Sequence, residues 1–99
     1  MIIKDTNNKK IVLFGMSALA TSIVNFLPNN LKKKIILLSD NDTTKQKKIL
    51  CGFDMKISHP SNLLTIKYDK LLICSYFFKK EIVNSLKSYI KDHKKIILI

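Results

Sequence analysis

Arginine is absent from the 99 residues, and the chain holds only two cysteines, two glycines and two prolines. Without arginine there is no planar guanidinium fork to grip phosphate or guanine bidentately, so direct base readout would lack its commonest instrument. Cys51 and Cys74 belong to no C-x-x-C pair, and neither has a His at metal-ligand spacing. A zinc site is therefore not expected, and the two thiols read as free, largely buried groups. His59 and His93 are isolated, and Asn41-Asp42-Thr43 has the form of a glycosylation sequon, which carries meaning only in a secreted chain. No uninterrupted apolar run exceeds five residues, far below the roughly 20 that span a bilayer. The start turns polar by Lys4 and offers no apolar h-region, so no secretory signal is expected and a cytoplasmic setting follows.

What the chain does have is enough apolar material for one packed core. Hydrophobic residues make up 46%, with 15 Ile and 13 Leu, too many for a disordered tail. Ninety-nine residues bound the answer to a single small domain. Residues 1–8 are expected to be a flexible N-terminal segment and residues 9–99 the domain. Basic residues outnumber acidic ones 18 to 7, for a net charge of +11, and all 18 are Lys. A basic balance puts nucleic acid or another anionic surface among the partners. Abundant Lys, Ile and Asn with no Arg and two Ala also match the compositional drift of an AT-rich genome.

Ile11-Val12-Leu13-Phe14 is a continuous apolar run of the kind that forms a strand buried on both faces, and Gly15 ends it. From Met16 to Leu27 the period becomes helical, with Met16, Leu19, Ala20, Ile23, Val24 and Leu27 on one stripe, and Pro28 closes the helix. Ile35 to Ser39 reads as a second buried strand that stops at Asp40-Asn41-Asp42. A short helix is expected over about Thr44 to Leu50, and a short edge strand over Gly52 to Ile57. Ser61 is a candidate cap for a brief helix ending near Ile66. Leu71 to Cys74 is a third strong strand, a helix is expected from about Phe78 to Lys91, and Ile96 to Ile99 reads as a last strand.

Buried strands alternating with amphipathic helices imply an α/β domain, a parallel sheet with helices on both faces. The expected architecture is a Rossmann-like half-domain of five strands in the order 3-2-1-4-5. In such sheets ligands bind beyond the carboxyl ends of the strands, at the switch point beside the first strand. That rule selects Gly15, Met16 and Ser17 after the first strand, Asp40 and Asn41 after the second, and Ser75 and Tyr76 after the third strong run. Each turn also opens a helix, whose N-terminal amides and dipole favour an anion. Asp40 lies close to the offset from Gly15 at which an acidic side chain accepts hydrogen bonds from a ribose diol.

The glycine fingerprint departs from its usual form. Gly15-Met16-Ser17-Ala18-Leu19-Ala20 keeps the first Gly of G-x-G-x-x-G, puts Ser at the second position and the accepted Ala at the third. The alternative is that Gly15 makes a tight turn and Asp40 ends a strand, with no ligand at either. Tyr76 and Lys80 have the Tyr-x-x-x-Lys spacing used for proton transfer in short-chain dehydrogenases. Lys at 18 of 99 positions supplies such a match by chance, and Tyr76 falls in the turn before the helix rather than within it. Lys9-Lys10, Lys32 to Lys34, Lys70 and Lys94-Lys95 precede strands, so a parallel sheet gathers them at its amino ends as one basic face. That face is either a solvated rim or a docking surface for an acidic protein or nucleic acid.

Read together, Lys-Lys-Ile-Val-Leu-Phe-Gly, Ile-Leu-Leu-Ser-Asp-Asn-Asp, Cys-Gly-Phe-Asp-Met-Lys-Ile-Ser-His-Pro, Tyr-Asp-Lys-Leu-Leu-Ile-Cys-Ser and Lys-Lys-Glu-Ile-Val-Asn-Ser-Leu are similar to segments of a known group. The chain resembles the small Rossmann-like domains of bacterial sugar-nucleotide and surface-polysaccharide enzymes. Such domains begin nucleoside-diphosphate-sugar epimerases and dehydratases or are appended to sugar methyltransferases. The resemblance implies a nucleotide or nucleotide-sugar ligand at Gly15, Ser17, Asp40 and Ser75, with NAD(P) or a nucleotide-sugar as the expected cofactor and no metal. It carries over no catalytic residue, because those usually reside on a second domain. The expectation is therefore a stand-alone binding module, not catalytic on its own, that assists a larger sugar-modifying enzyme. The alternative is a Lys-rich protein- or nucleic-acid-binding module with no small-molecule ligand. Self-association through the sheet edges, near Gly52 and at Ile96 to Ile99, is expected in either case.

Overall fold

The computed structural model describes residues 10–49, 53–75, 79–90 and 92–98. The expected N-terminal segment, residues 1–8, lies outside them. Strand β1 is Ile11–Phe14, with all four side chains buried. Successive strand residues face opposite sides, and here Ile11 and Leu13 enter one hydrophobic cluster while Val12 and Phe14 enter another. The continuous apolar run is thus the signature of a strand that serves two cores. Strands β2 (Ile35–Ser39), β3 (Ile57–Ser58), β4 (Lys70–Ile73) and β5 (Ile96–Leu98) complete the sheet.

Every neighbouring pair is parallel, and the order across the sheet is β3-β2-β1-β4-β5. The α/β class and the parallel order 3-2-1-4 agree with the sequence pattern. One irregularity lies in β2, where Ile11 pairs with Ile35 but Val12 pairs with Leu37. The extra residue is a bulge. It lets Ile36 and Leu37, adjacent in sequence, both pack against the Val12 and Phe14 cluster.

Helix α1 (Ala18–Phe26) covers the first face with Ala20, Ile23 and Val24. It starts two residues later than the hydrophobic stripe suggests, because Met16 and Ser17 belong to the turn. Its end follows from Pro28, whose ring forces Leu27 out of the helical region; Leu27 is extended, with φ −70° and ψ 138°. Pro28 then opens a further helical turn, α2 (Asn29–Lys32), which the sequence pattern does not anticipate. Helix α3 (Lys79–Ser85) covers the second face with Ile82 and Val83, and Leu86 and Ile90 follow in the same cluster. It is shorter than expected, since Leu86 to Tyr89 form turns with Tyr89 N–H donating to the Leu86 carbonyl. The described residues contain no helix long and apolar enough to cross a membrane.

Residues 43–58 depart most from expectation. Of the helix expected over Thr44 to Leu50, residues 44–47 form turns instead, Leu50 lies outside the described residues, and Lys47 has a positive φ of 69°. Lys47 N–H donates to the Ile57 carbonyl at 2.7 Å and Ile57 N–H to the Lys48 carbonyl at 2.8 Å. An antiparallel bridge between Ile49 and Lys56 continues this pairing, so backbone groups a helix would use are spent on Lys56 and Ile57. Of the edge strand expected over Gly52 to Ile57, Ile57 joins the parallel strand together with Ser58, and Gly52 lies outside the described residues. The following 3-10 helix, Pro60–Leu64, is capped by His59 rather than Ser61: the His59 ring accepts the Ser61 N–H, and Pro60 occupies the first helical position.

Candidate functional site

A parallel sheet puts the carboxyl ends of its strands along one edge, and the turns after β1, β2 and β4 meet there. Gly15 has φ +93°, a conformation that L side chains rarely adopt. A Cβ at Gly15 would also stand 3.2 Å from the Cys74 carbonyl oxygen, so the turn approaches the end of β4 closely. Gly15 N–H donates to the Ser39 carbonyl at 2.9 Å, which anchors the same turn to β2 on the other side.

Asp40 is the hub. Its Oδ2 accepts the Met16 N–H at 2.7 Å, and its Oδ1 accepts the Asp42 N–H at 2.8 Å. Its own carbonyl accepts the Gln46 side-chain amide, and Lys45 Nζ stands 3.9 Å from Oδ2. The Asp40 side chain is only 13% exposed against 42% for Lys45, so the amides rather than the ammonium hold the carboxylate. Asp42 closes its own small turn on the Thr44 N–H and hydroxyl, and these two hydrogen bonds pull its carboxyl below the ordinary range.

Ser17 takes the cap position of α1, yet its hydroxyl makes no cap bond. It donates instead to the Cys74 carbonyl at 3.1 Å, tying α1 to β4. Cys74 is 1% exposed, and burial pushes its thiol up to about 12. The thiol is free and packed in the core, as the isolated cysteine implies. Cys51 lies outside the described residues. Asn41 reaches the other way, donating through Nδ2 to Ser85 Oγ at 2.9 Å, while Ser85 donates to the Ile82 carbonyl.

These residues enclose a pocket of about 200 Å³ lined by Gly15, Met16, Ser17, Asp40, Asn41 and Ser75, with Lys45, Cys74 and Ile82 among its other walls. Six of the seven expected residues meet there; Tyr76 lies outside the described residues. The Met16 side chain does not fill the crevice, being 5% exposed within the α1 cluster. Ile82 and the Asn41 to Ser85 bridge were not foreseen, because only the packing of α3 against the sheet brings them to β2. Among the described residues no group of three or more His, Cys, Asp or Glu is placed to hold a metal ion. At the opposite edge, Lys10, Lys34, Lys70 and Lys95 stand at the starts of β1, β2, β4 and β5.

The molecule is therefore a small α/β domain with a crevice at the carboxyl ends of a parallel sheet. It belongs to the family described as C2185-like, N-terminal, whose model matches residues 7–97. No curated protein matches the chain.

Proposed function

We propose that the chain is a nucleotide- or nucleotide-sugar-binding module of Rossmann-like type, and that it serves a larger sugar-modifying enzyme of polysaccharide synthesis. The convergence of Gly15, Ser17, Asp40, Asn41 and Ser75 on one pocket beside β1 supports this reading. Asp40 supplies carboxylate oxygens that accept hydrogen bonds from a diol, and Lys45 stands beside it to attract a phosphate.

The fit is partial. A pocket of about 200 Å³ lies below the roughly 300–1,000 Å³ of most small-molecule sites. It takes one sugar-sized part of a ligand and does not enclose a whole NAD(P). A nucleotide-sugar held by one ring suits it better. Such a ligand shares or displaces the Asp40 to Met16 bond, since that carboxylate occupies the first turn amide. The resemblance to domains of epimerases, dehydratases and sugar methyltransferases supplies the enzyme context, and the family's description as N-terminal fits a module that works beside other parts.

Titration of the protein with UDP-glucose, UDP, NAD and NADP, followed by backbone amide shifts, tests the reading. Saturable shifts at Gly15, Met16, Asp40 to Asp42 and Ser75, lost in Asp40→Ala, are the expected result. Silence of these amides at millimolar ligand would overturn it.

A further inference from the structure

A hollow larger than the crevice lies at the other end of the sheet. It measures about 530 Å³ and is lined by Lys10, Ile66, Lys67, Tyr68, Asp69 and Lys95, which places it within the usual range for small-molecule sites and well above the carboxyl-end crevice. We propose that this hollow is a second binding site, for a small phosphorylated compound.

The charges point to an anion. Three ammonium side chains and one carboxylate line the hollow, and among the described residues none of the three lysines is in a salt bridge. Asp69, the one carboxylate of the lining, has its Oδ2 accepting the Lys10 backbone N–H at 2.7 Å. Asp92, which lines the adjoining hollow together with Tyr68 and Lys95, accepts the Lys94 N–H. Three lysines against one carboxylate leave the lining with a net positive charge, which a phosphate dianion complements.

The remaining walls favour a small ester over a polymer. Tyr68 is buried to all but 7% of its surface, and Lys95 Nζ lies 5.1 Å from its ring centroid, so cation and ring form one wall. Burial, then the charge of Asp92, raises the Tyr68 phenol, which stays protonated as a donor. Ile66 adds an apolar wall for a carbon skeleton. A single concavity with an aromatic floor suits one phosphate and its organic part. A nucleic-acid backbone would instead draw on lysines along the whole edge, including Lys32 and Lys33 of the α2 region.

Phenyl phosphate, which lacks any ribose, is the probe. Saturable amide shifts at Lys10, Lys67 to Lys70 and Lys95 are expected, unchanged in Asp40→Ala, so this result stands or falls independently of the crevice. Lys67→Gln alone, at an exposed position, and Lys67→Gln with Lys95→Gln weaken binding progressively, the pair by about tenfold or more. Lys32→Gln with Lys33→Gln changes it less than about twofold. Equal losses in both pairs, or shifts that never saturate, would overturn the proposal. So would a short oligothymidylate that binds more tightly than phenyl phosphate and perturbs Lys32 and Lys33 as well, which would assign the face to a nucleic-acid backbone.

Discussion

The carboxylate of Asp40 accepts the backbone N–H of Met16 at 2.7 Å, so the end of β2 is fastened to the turn that opens α1. The same carboxylate also accepts the Asp42 N–H. It organises two of the three turns at the crevice before any ligand arrives.

Removing it exposes both amides. A hydrogen bond to a charged group contributes roughly 1.5–3 kcal/mol; the Met16 bond is part-buried while the exposed Asp42 amide regains water, so Asp40→Ala should destabilise the fold by about 2 kcal/mol in urea unfolding. Lys45→Ala should change stability by less than about 1 kcal/mol, since its ammonium is a half-exposed partner at 3.9 Å. Equal effects of the two substitutions would show that the ion pair, not the amides, holds Asp40.

Gly15 is constrained twice, by φ +93° and by the Cys74 carbonyl 3.2 Å from where a Cβ would stand. Gly15→Ala should destabilise the protein by about 1–3 kcal/mol. The Ser17 and Cys74 amide signals should move with it, because the strain is relieved by shifting the turn away from β4. A neutral Gly15→Ala would mean that the turn has room to relax.

The parts of this architecture legible in the sequence are those set by burial. β1, β2 and β4 are covered on both faces, so each appears as an uninterrupted apolar run with Lys before it and a small or polar residue after it. The turns after them could be named as site positions because parallel strands end on one edge. The turns over residues 43–47 are illegible for the opposite reason: Lys47 and Lys48 bond to Ile57, a pairing that no local period encodes. Ser17 shows the same limit within the site. Ser17 is a candidate ligand position, yet its hydroxyl donates to a carbonyl 57 positions away, a partner fixed by sheet order alone.

Burial also makes a prediction for Cys74. Its thiol, pushed from 9.0 up to about 12, should resist iodoacetamide in the folded protein at a pH near 9.0. The unfolded chain should react fully, as read by mass spectrometry on a Cys51→Ser background. Between these two values the unfolded thiol has lost its proton and the folded one has kept it, so the native state binds more protons. Stability then falls as pH rises through that window and is unaffected below it. Tyr68, raised first by burial and then by Asp92, acts in the same direction above its ordinary 10.0. Rapid labelling of the native protein would contradict the buried assignment.

The bond from Asn41 Nδ2 to Ser85 Oγ, 2.9 Å long and exposed, links the loop after β2 to the end of α3. Asn41 and Ile82, whose carbonyl Ser85 holds, both line the crevice. An exposed neutral bond contributes at most about 0.5–1.5 kcal/mol, so global stability should barely change in Asn41→Ala. Local opening should change more, because the bond ties an exposed loop to α3. Amide exchange at Asp42, Thr44 and Lys45 is expected to quicken while β1 and β4 stay protected. Ser85→Ala should have the same effect, and the double variant should be no faster than either single one. Additive acceleration would show that the two side chains act separately, and that the loop is held by its own Asp42 to Thr44 turn rather than by a tether across the crevice.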